Sequence, residues 1–223
     1  TLSGQPIEIV DRLLTGAFII IINLIRAGRP FIEQIDASSI LPKCFLCEDV
    51  MRDLWKLERA ARWIDANGKT WKQCPAPFIY QVGSEQVTLA IDETFMPDGL
   101  HIYQMASKVP YLIKAMIDYA RLTGATVGFN QAGAAASNRL HLHLQTLFAH
   151  LPIFDKFNNL ETLLSIDGAT LSSSGNWPLK TVYLVEGRNE EAVEKIASNL
   201  IKIADEKGKT FNNLFSNFTE KLE

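Results

Sequence analysis

The segment Leu140-His141-Leu142-His143-Leu144-Gln145 alternates apolar and polar residues without a break, and it constrains the chain more than any other stretch. Successive side chains of a β-strand point to opposite faces, so a period of two reads as a half-buried strand; we expect it from Arg139 to Thr146. The leucines then face a core. His141, His143 and Gln145 line the opposite face at intervals of about 6.6 Å. Core burial accounts for the leucines and leaves two imidazoles and an amide in a row unexplained, since each brings polar groups that need partners if buried. The chain has only four histidines. A wet strand face that carries two of them incidentally is the plain alternative to a site.

Around this strand the pattern mixes helices and strands. The dense apolar run of residues 7–27, closed by Gly28 and Pro30, predicts a long, mostly buried helix, although its β-branched isoleucines also suit a strand, and residues 49–65 carry Val50, Leu54, Leu57 and Ala61 at helical spacing. Strands are expected at 77–82, 86–92 and 100–104, with Pro97-Asp98-Gly99 as a turn before the last. Leu112, Ile113, Met116, Ile117 and Ala120 predict a helix over 109–123, stopped by Gly124. A strand at 125–130 follows, and after the alternating segment comes a looser region, 155–178, with Ser172-Ser173-Ser174-Gly175-Asn176 as a turn. A strand at 180–186, an amphipathic helix at 190–207 ended by Gly208 and a short strand at 211–215 complete the chain. Without strict βαβ alternation the class is α+β with a mostly antiparallel sheet. We expect one domain over residues 1–223, its first 39 residues a helical extension packed on it.

Composition excludes several function classes. The balance is 22 Lys+Arg against 25 Asp+Glu, a net charge of −3, which argues against a broad nucleic-acid surface but not against a small phosphate site. The longest apolar run, residues 17–25, is interrupted by Asn23 and falls short of the roughly 20 residues a membrane span requires. Three cysteines cannot build a disulfide framework; an odd, sparse count with one CxxC fits a reducing, cytoplasmic setting.

Two further features bear on chemistry. Cys44-Phe45-Leu46-Cys47 can share one zinc ion, with His101 and His141 completing a Cys2His2 set; two buried free cysteines explain the pair equally well. A thioredoxin-like role fits less well, because no βαβ pattern surrounds the motif. The loop Gln131-Ala132-Gly133-Ala134-Ala135-Ala136-Ser137-Asn138 is built of small residues that let backbone N–H groups approach a ligand, although an ordinary strand connection looks the same.

Taken together, Cys44-x-x-Cys47, His101 at a strand start, Asn130, Ser137-Asn138 and His141-x-His143-x-Gln145 resemble the histidine-triad (HIT-like) superfamily. The resemblance is to its nucleotidyltransferase and phosphorylase branch, which includes galactose-1-phosphate uridylyltransferase, diadenosine polyphosphate phosphorylase and GDP-L-galactose phosphorylase. Leu151-Pro152-Ile153, Asn176-Trp177-Pro178-Leu179-Lys180 and Phe211-Asn212-Asn213-Leu214-Phe215 resemble later segments of that branch, so the likeness spans roughly residues 40–215. The loop Gly133-Ala134-Ala135-Ala136-Ser137 departs from relatives that keep a glycine just before the serine.

The resemblance implies a HIT-like, mostly antiparallel sheet flanked by helices and a two-step transfer. His143 would attack the α-phosphorus of a nucleotide sugar or dinucleoside polyphosphate, and inorganic phosphate or a sugar phosphate would then take the nucleotide. It implies that Gln145 donates to a nonbridging oxygen, that Asn130, Ser137 and Asn138 hold phosphate oxygens, and that Lys180 contacts phosphate unless it is merely a solvated strand-end charge. Cys44, Cys47, His101 and His141 match zinc ligands, with His141 structural. No nucleic acid or membrane partner is implied, and there is room for a homodimer. A glutamine at position 145 cannot protonate a leaving group, which disfavours a HIT-type hydrolase. A zinc-stiffened nucleotide-binding module without catalysis is the remaining alternative.

Overall fold

The longest β-ladder is a six-stranded antiparallel sheet, in the order β11-β6-β7-β5-β4-β3. The computed structural model describes residues 9–15, 18–23, 46–47, 61–75, 86–92, 104–131, 141–148, 160–174, 182–209 and 213–217. In this sheet the strands are β3 (Ala61–Ile64), β4 (Thr70–Pro75), β5 (Gln86–Ile91), β6 (Thr126–Asn130), β7 (His143–Leu147) and β11 (Asn213–Ser216). A separate three-stranded antiparallel sheet orders β10 (Val182–Gly187), β9 (Ala169–Ser174) and β8 (Glu161–Ile166). Two helices, α1 (Leu112–Thr123) and α2 (Glu190–Glu206), complete the α+β architecture among the described residues. None of these helices is long and apolar enough to cross a membrane.

Helix α1 covers one face of the six-stranded sheet. Its apolar positions Leu112, Ala115, Met116, Tyr119 and Ala120 recur at three and four residues, all are buried, and they pack with Trp71, Leu89, Ile91, Val127, Phe129, Leu142 and Leu144 in one core. Burying a Leu or Met side chain fully contributes about 1.5–3 kcal/mol, so this face carries much of the stability. Gly124 ends the helix in the left-handed region at φ 69°, and its N–H donates to Ala120 O at 2.8 Å, a conformation that disfavours residues with a Cβ. Helix α2 begins at Asn189, whose side chain accepts from the Ala192 N–H; it packs on β9 and β10 and touches α1.

Three expectations are corrected here. The helix over 7–27 is instead a hairpin over its described residues, β1 (Ile9–Thr15) against β2 (Phe18–Asn23). The run Ile19-Ile20-Ile21-Ile22 is β-branched, stiff at χ1 and better suited to a pleated strand than to a helix. The helix over 49–65 does not extend to its end, because Ala61–Ile64 is β3; residues 49–60 lie outside the described set. Ser172, Ser173 and Ser174 are strand rather than turn, since they pair with Leu184, Tyr183 and Val182 of β10. The turn lies earlier, at Asp167 (φ 50°) and Gly168 (φ 80°). Two consecutive positive φ values suit a tight two-residue hairpin, and Asp-Gly is the pair that tolerates them. The strand expected at 77–82 lies outside the described residues, as do residues 100–103; Gln104 belongs to no strand.

The β3–β4 hairpin is organised by one carboxylate. Asp65 Oδ1 accepts from the N–H of Asn67 at 2.8 Å and of Lys69 at 2.9 Å, and Oδ2 from the indole N–H of Trp71 at 2.9 Å. Trp71 is fully buried, so losing this acceptor orphans a donor that water does not reach. Asp65→Ala is expected to cost about 2–3 kcal/mol, read as a lower urea midpoint, with Asp65→Asn falling between the variant and the parent because it keeps only the turn bonds.

Candidate functional site

Registry sets the second face of the six-stranded sheet. Directly paired residues share a face, and the pairs Arg62↔Lys72, Lys72↔Ala90 and Ala90↔His143 form one row across four strands. The next row runs Cys74↔Thr88, Thr88↔Gln145 and Gln145↔Gly128. The middle of this face is polar yet buried: Lys72 is 0% and His143 3% exposed, and Thr88 is buried too, while Arg62 at the edge is exposed and Gln145 half-buried. The aliphatic neighbours Leu142 and Leu144 belong to the α1 core. His143 and Gln145 therefore share a face, as their spacing predicts, and the regular strand begins at His143, with His141 and Leu142 just before it.

The two imidazoles have fixed tautomers. His143 Nδ1 lies 2.8 Å from His141 O, and His141 Nε2 lies 2.8 Å from Ile91 O. A carbonyl oxygen only accepts, so each of these nitrogens carries the proton in the neutral ring. For His143 the lone pair is then on Nε2. For His141 it is on Nδ1, which faces Cys47 Sγ at 3.8 Å.

That last distance bears on a metal. Two donors on one tetrahedral zinc, with bonds of about 2.3 Å to sulfur and 2.0–2.1 Å to nitrogen, stand about 3.6 Å apart. A ligand histidine typically donates its other N–H to a carbonyl or carboxylate, as His141 does. Cys47 and His141 thus fit half of the expected Cys2His2 set. Cys44 and His101 lie outside the described residues, and among the described residues no three His, Cys, Asp or Glu side chains gather to hold an ion.

Other expected site residues divide the same way. Asn130 ends β6 and pairs with Asn213. Ser137, Asn138 and Lys180 lie outside the described residues.

Two residues escaped the sequence reading. Gln104 is fully buried and grips the His143 peptide unit: Oε1 accepts from His143 N–H at 2.9 Å, and Nε2 donates to His143 O at 2.8 Å and to Asn130 O at 3.2 Å. Nothing in the sequence signals this, because its partners are backbone atoms distant in the chain. Lys72 shares the His143 face; in a strand read from sequence, a fully buried lysine would be assigned to solvent.

Cys74 is a buried thiol on that face. Burial pushes it up from 9.0 to about 11, the charge of Lys72 working in the opposite direction, and Sγ donates to Thr88 O at 3.5 Å. It is therefore a thiol at neutral pH and no nucleophile. Since the folded value lies above the unfolded one, this group costs nothing below about pH 9 and destabilises as pH rises toward and beyond 11, by at most about 3 kcal/mol. Between pH 8 and 10.5 the parent is expected to lose about 1–2 kcal/mol more stability than Cys74→Ala in urea unfolding.

Comparison of the chain with protein-family models, curated proteins and solved structures found no match.

Proposed function

We propose that the protein is a nucleotidyltransferase or phosphorylase of the histidine-triad type. It moves a nucleoside monophosphate from a nucleotide sugar or dinucleoside polyphosphate to phosphate or a sugar phosphate through a nucleotidyl-His143 intermediate. The observation that carries this reading is the bond from His143 Nδ1–H to the His141 carbonyl. It keeps the lone pair on Nε2, and a neutral imidazole is nucleophilic near pH 7 without an added base.

In the first step Nε2 of His143 attacks the α-phosphorus. An N–P bond forms, the P–O bond to the leaving phosphate breaks, and the electron pair departs with that phosphate. In the second step an acceptor phosphate oxygen attacks the same phosphorus and Nε2 recovers its pair. Charge sits on the phosphoryl oxygens throughout, so positioning and donor hydrogen bonds dominate. Gln145, on the face of His143, suits a donor to a nonbridging oxygen, and Asn130, Ser137, Asn138 and Lys180 are the further phosphate contacts of this reading. Cys44, Cys47, His101 and His141 would hold a structural zinc that stiffens the base of the His143 strand.

The test is intact-mass measurement after incubation with a panel of nucleoside diphosphate sugars and dinucleoside polyphosphates, beside His143→Ala. The expected result is one added nucleoside monophosphate on the parent, removed by phosphate or a sugar phosphate, and none on the variant. No adduct across the panel overturns the reading, and discharge to water faster than to phosphate replaces transfer with hydrolysis.

A further inference from the structure

We infer that Gln104 is a positioning residue for His143, an inference that rests on the transfer reading for its kinetic consequence but not for its geometry. Strands β6 and β7 pair at Thr126↔Leu147, Val127↔Thr146 and Gly128↔Gln145, and there the ladder stops. Both strands nevertheless continue, β6 to Asn130 and β7 back to His143. In step, Asn130 would pair with His143.

The backbone shows what replaces that pair. Ile91 N–H donates to Leu142 O at 3.0 Å, so the Leu142 carbonyl faces β5. Backbone groups alternate sides along a strand, and the N–H and C=O of His143 therefore face β6. Instead of a peptide they meet the Gln104 amide, one end accepting and the other donating, while the same Nε2 also reaches Asn130 O. The partners fix the amide's orientation, because an N–H only donates and a carbonyl only accepts. A side-chain amide thus stands in for a peptide and holds the seam between β6 and β7 apart at the level of His143.

The insertion is itself braced. Two residues on, Ala106 N–H donates to Gln131 Oε1 at 3.2 Å, and Gln131, also buried, directly follows β6. Gln104 is consequently tied to β7 and the end of β6, and its segment is pinned again two residues later. A ring reaching a phosphorus must be held within about half an ångström and 10–20°. The Nδ1 bond orients the ring only if the His143 peptide unit stays in place, and that peptide unit is what Gln104 holds.

Gln104→Glu is nearly isosteric and keeps the acceptor, but an ionised carboxylate lacks the donor and meets two carbonyl oxygens; Gln104→Met keeps the volume and removes both functions. In full-length protein at pH 8 we expect either change to slow formation of the His143 adduct about 100-fold, the scale of a misplacement near 1 Å. Affinity for a nucleoside monophosphate is expected to stay within about 3-fold, the proportion set by a group that positions rather than binds. The ¹⁵N signals of His143 are expected to change from the Nδ1–H tautomer to a mixture of both. Variants that lose thermal stability while retaining the parental tautomer and adduct rate overturn the inference and leave Gln104 a structural residue. Should the parent form no adduct with any nucleotide, the transfer reading falls, and the tautomer shift alone decides Gln104: its presence supports the positioning role and its absence ends it.

Discussion

Asparagine at position 143 is expected to leave the chain folded and to reduce nucleotide transfer by about 10⁴-fold or more, the scale found when a covalent nucleophile is removed. The choice of residue matters. His143 is 3% exposed, and alanine would leave a cavity beside an orphaned His141 carbonyl. Asparagine carries an N–H donor close to the position of Nδ1, so the bond to His141 O at 2.8 Å has a substitute, and the Gln104 clamp on the His143 backbone does not depend on the side chain at all. What asparagine lacks is the second ring nitrogen. The stability change is therefore expected within about 1–2 kcal/mol, while the adduct disappears. Transfer at more than about a tenth of the parental rate would show that another group takes the nucleotide, or that nucleotide passes directly to the acceptor.

This expectation depends on a strand that was readable from sequence, and it is instructive why that strand was readable when others were not. The alternation of leucines with His141, His143 and Gln145 has a period of two that no helix reproduces, and the register Ala90↔His143 and Thr88↔Gln145 puts the pair on one face. Helices α1 and α2 were equally open to reading, since their apolar residues recur at helical spacing and end at glycines. Residues 9–23 were misread because a run apolar on both sides has no period, leaving only β-branching to separate strand from helix. The β3–β4 hairpin was missed because its organising bonds run from one carboxylate to two turn N–H groups and an indole, a pattern that hydropathy does not record. At Asp167-Gly168 a signal was present and was overshadowed by the serine-rich stretch after it. Gln104 is different in kind: its contacts span 26 and 39 residues and end on backbone atoms whose identity no side chain encodes.

The Cys47–His141 contact leads to the second large expectation. His141 is fully buried, its Nε2–H engaged by Ile91 O and its Nδ1 directed at Cys47 Sγ. Without an ion this pair is worth no more than a weak sulfur contact, roughly 1 kcal/mol or less. With zinc shared by Cys44, Cys47, His101 and His141, ligand binding becomes folding free energy, apparent values for structural sites being about 10–16 kcal/mol at pH 7. The two cases differ enough to separate by experiment. We expect protein prepared without chelators to carry about one zinc per chain, the ratio for a Cys2His2 site, and Cys47→Ser and His141→Asn each to lower it well below that. A strong chelator should reduce the unfolding free energy of the parent by several kcal/mol and have little effect on either variant. Because the His141 carbonyl is the acceptor for the His143 ring, zinc loss should also perturb the His143 tautomer. A parent with no metal, indifferent to chelator and unchanged in stability by Cys47→Ser to within about 1 kcal/mol, would reduce the pair to a half-buried thiol beside a buried imidazole; the bonds of His143 to Gln104 and the His141 carbonyl would then orient it without any help from a metal.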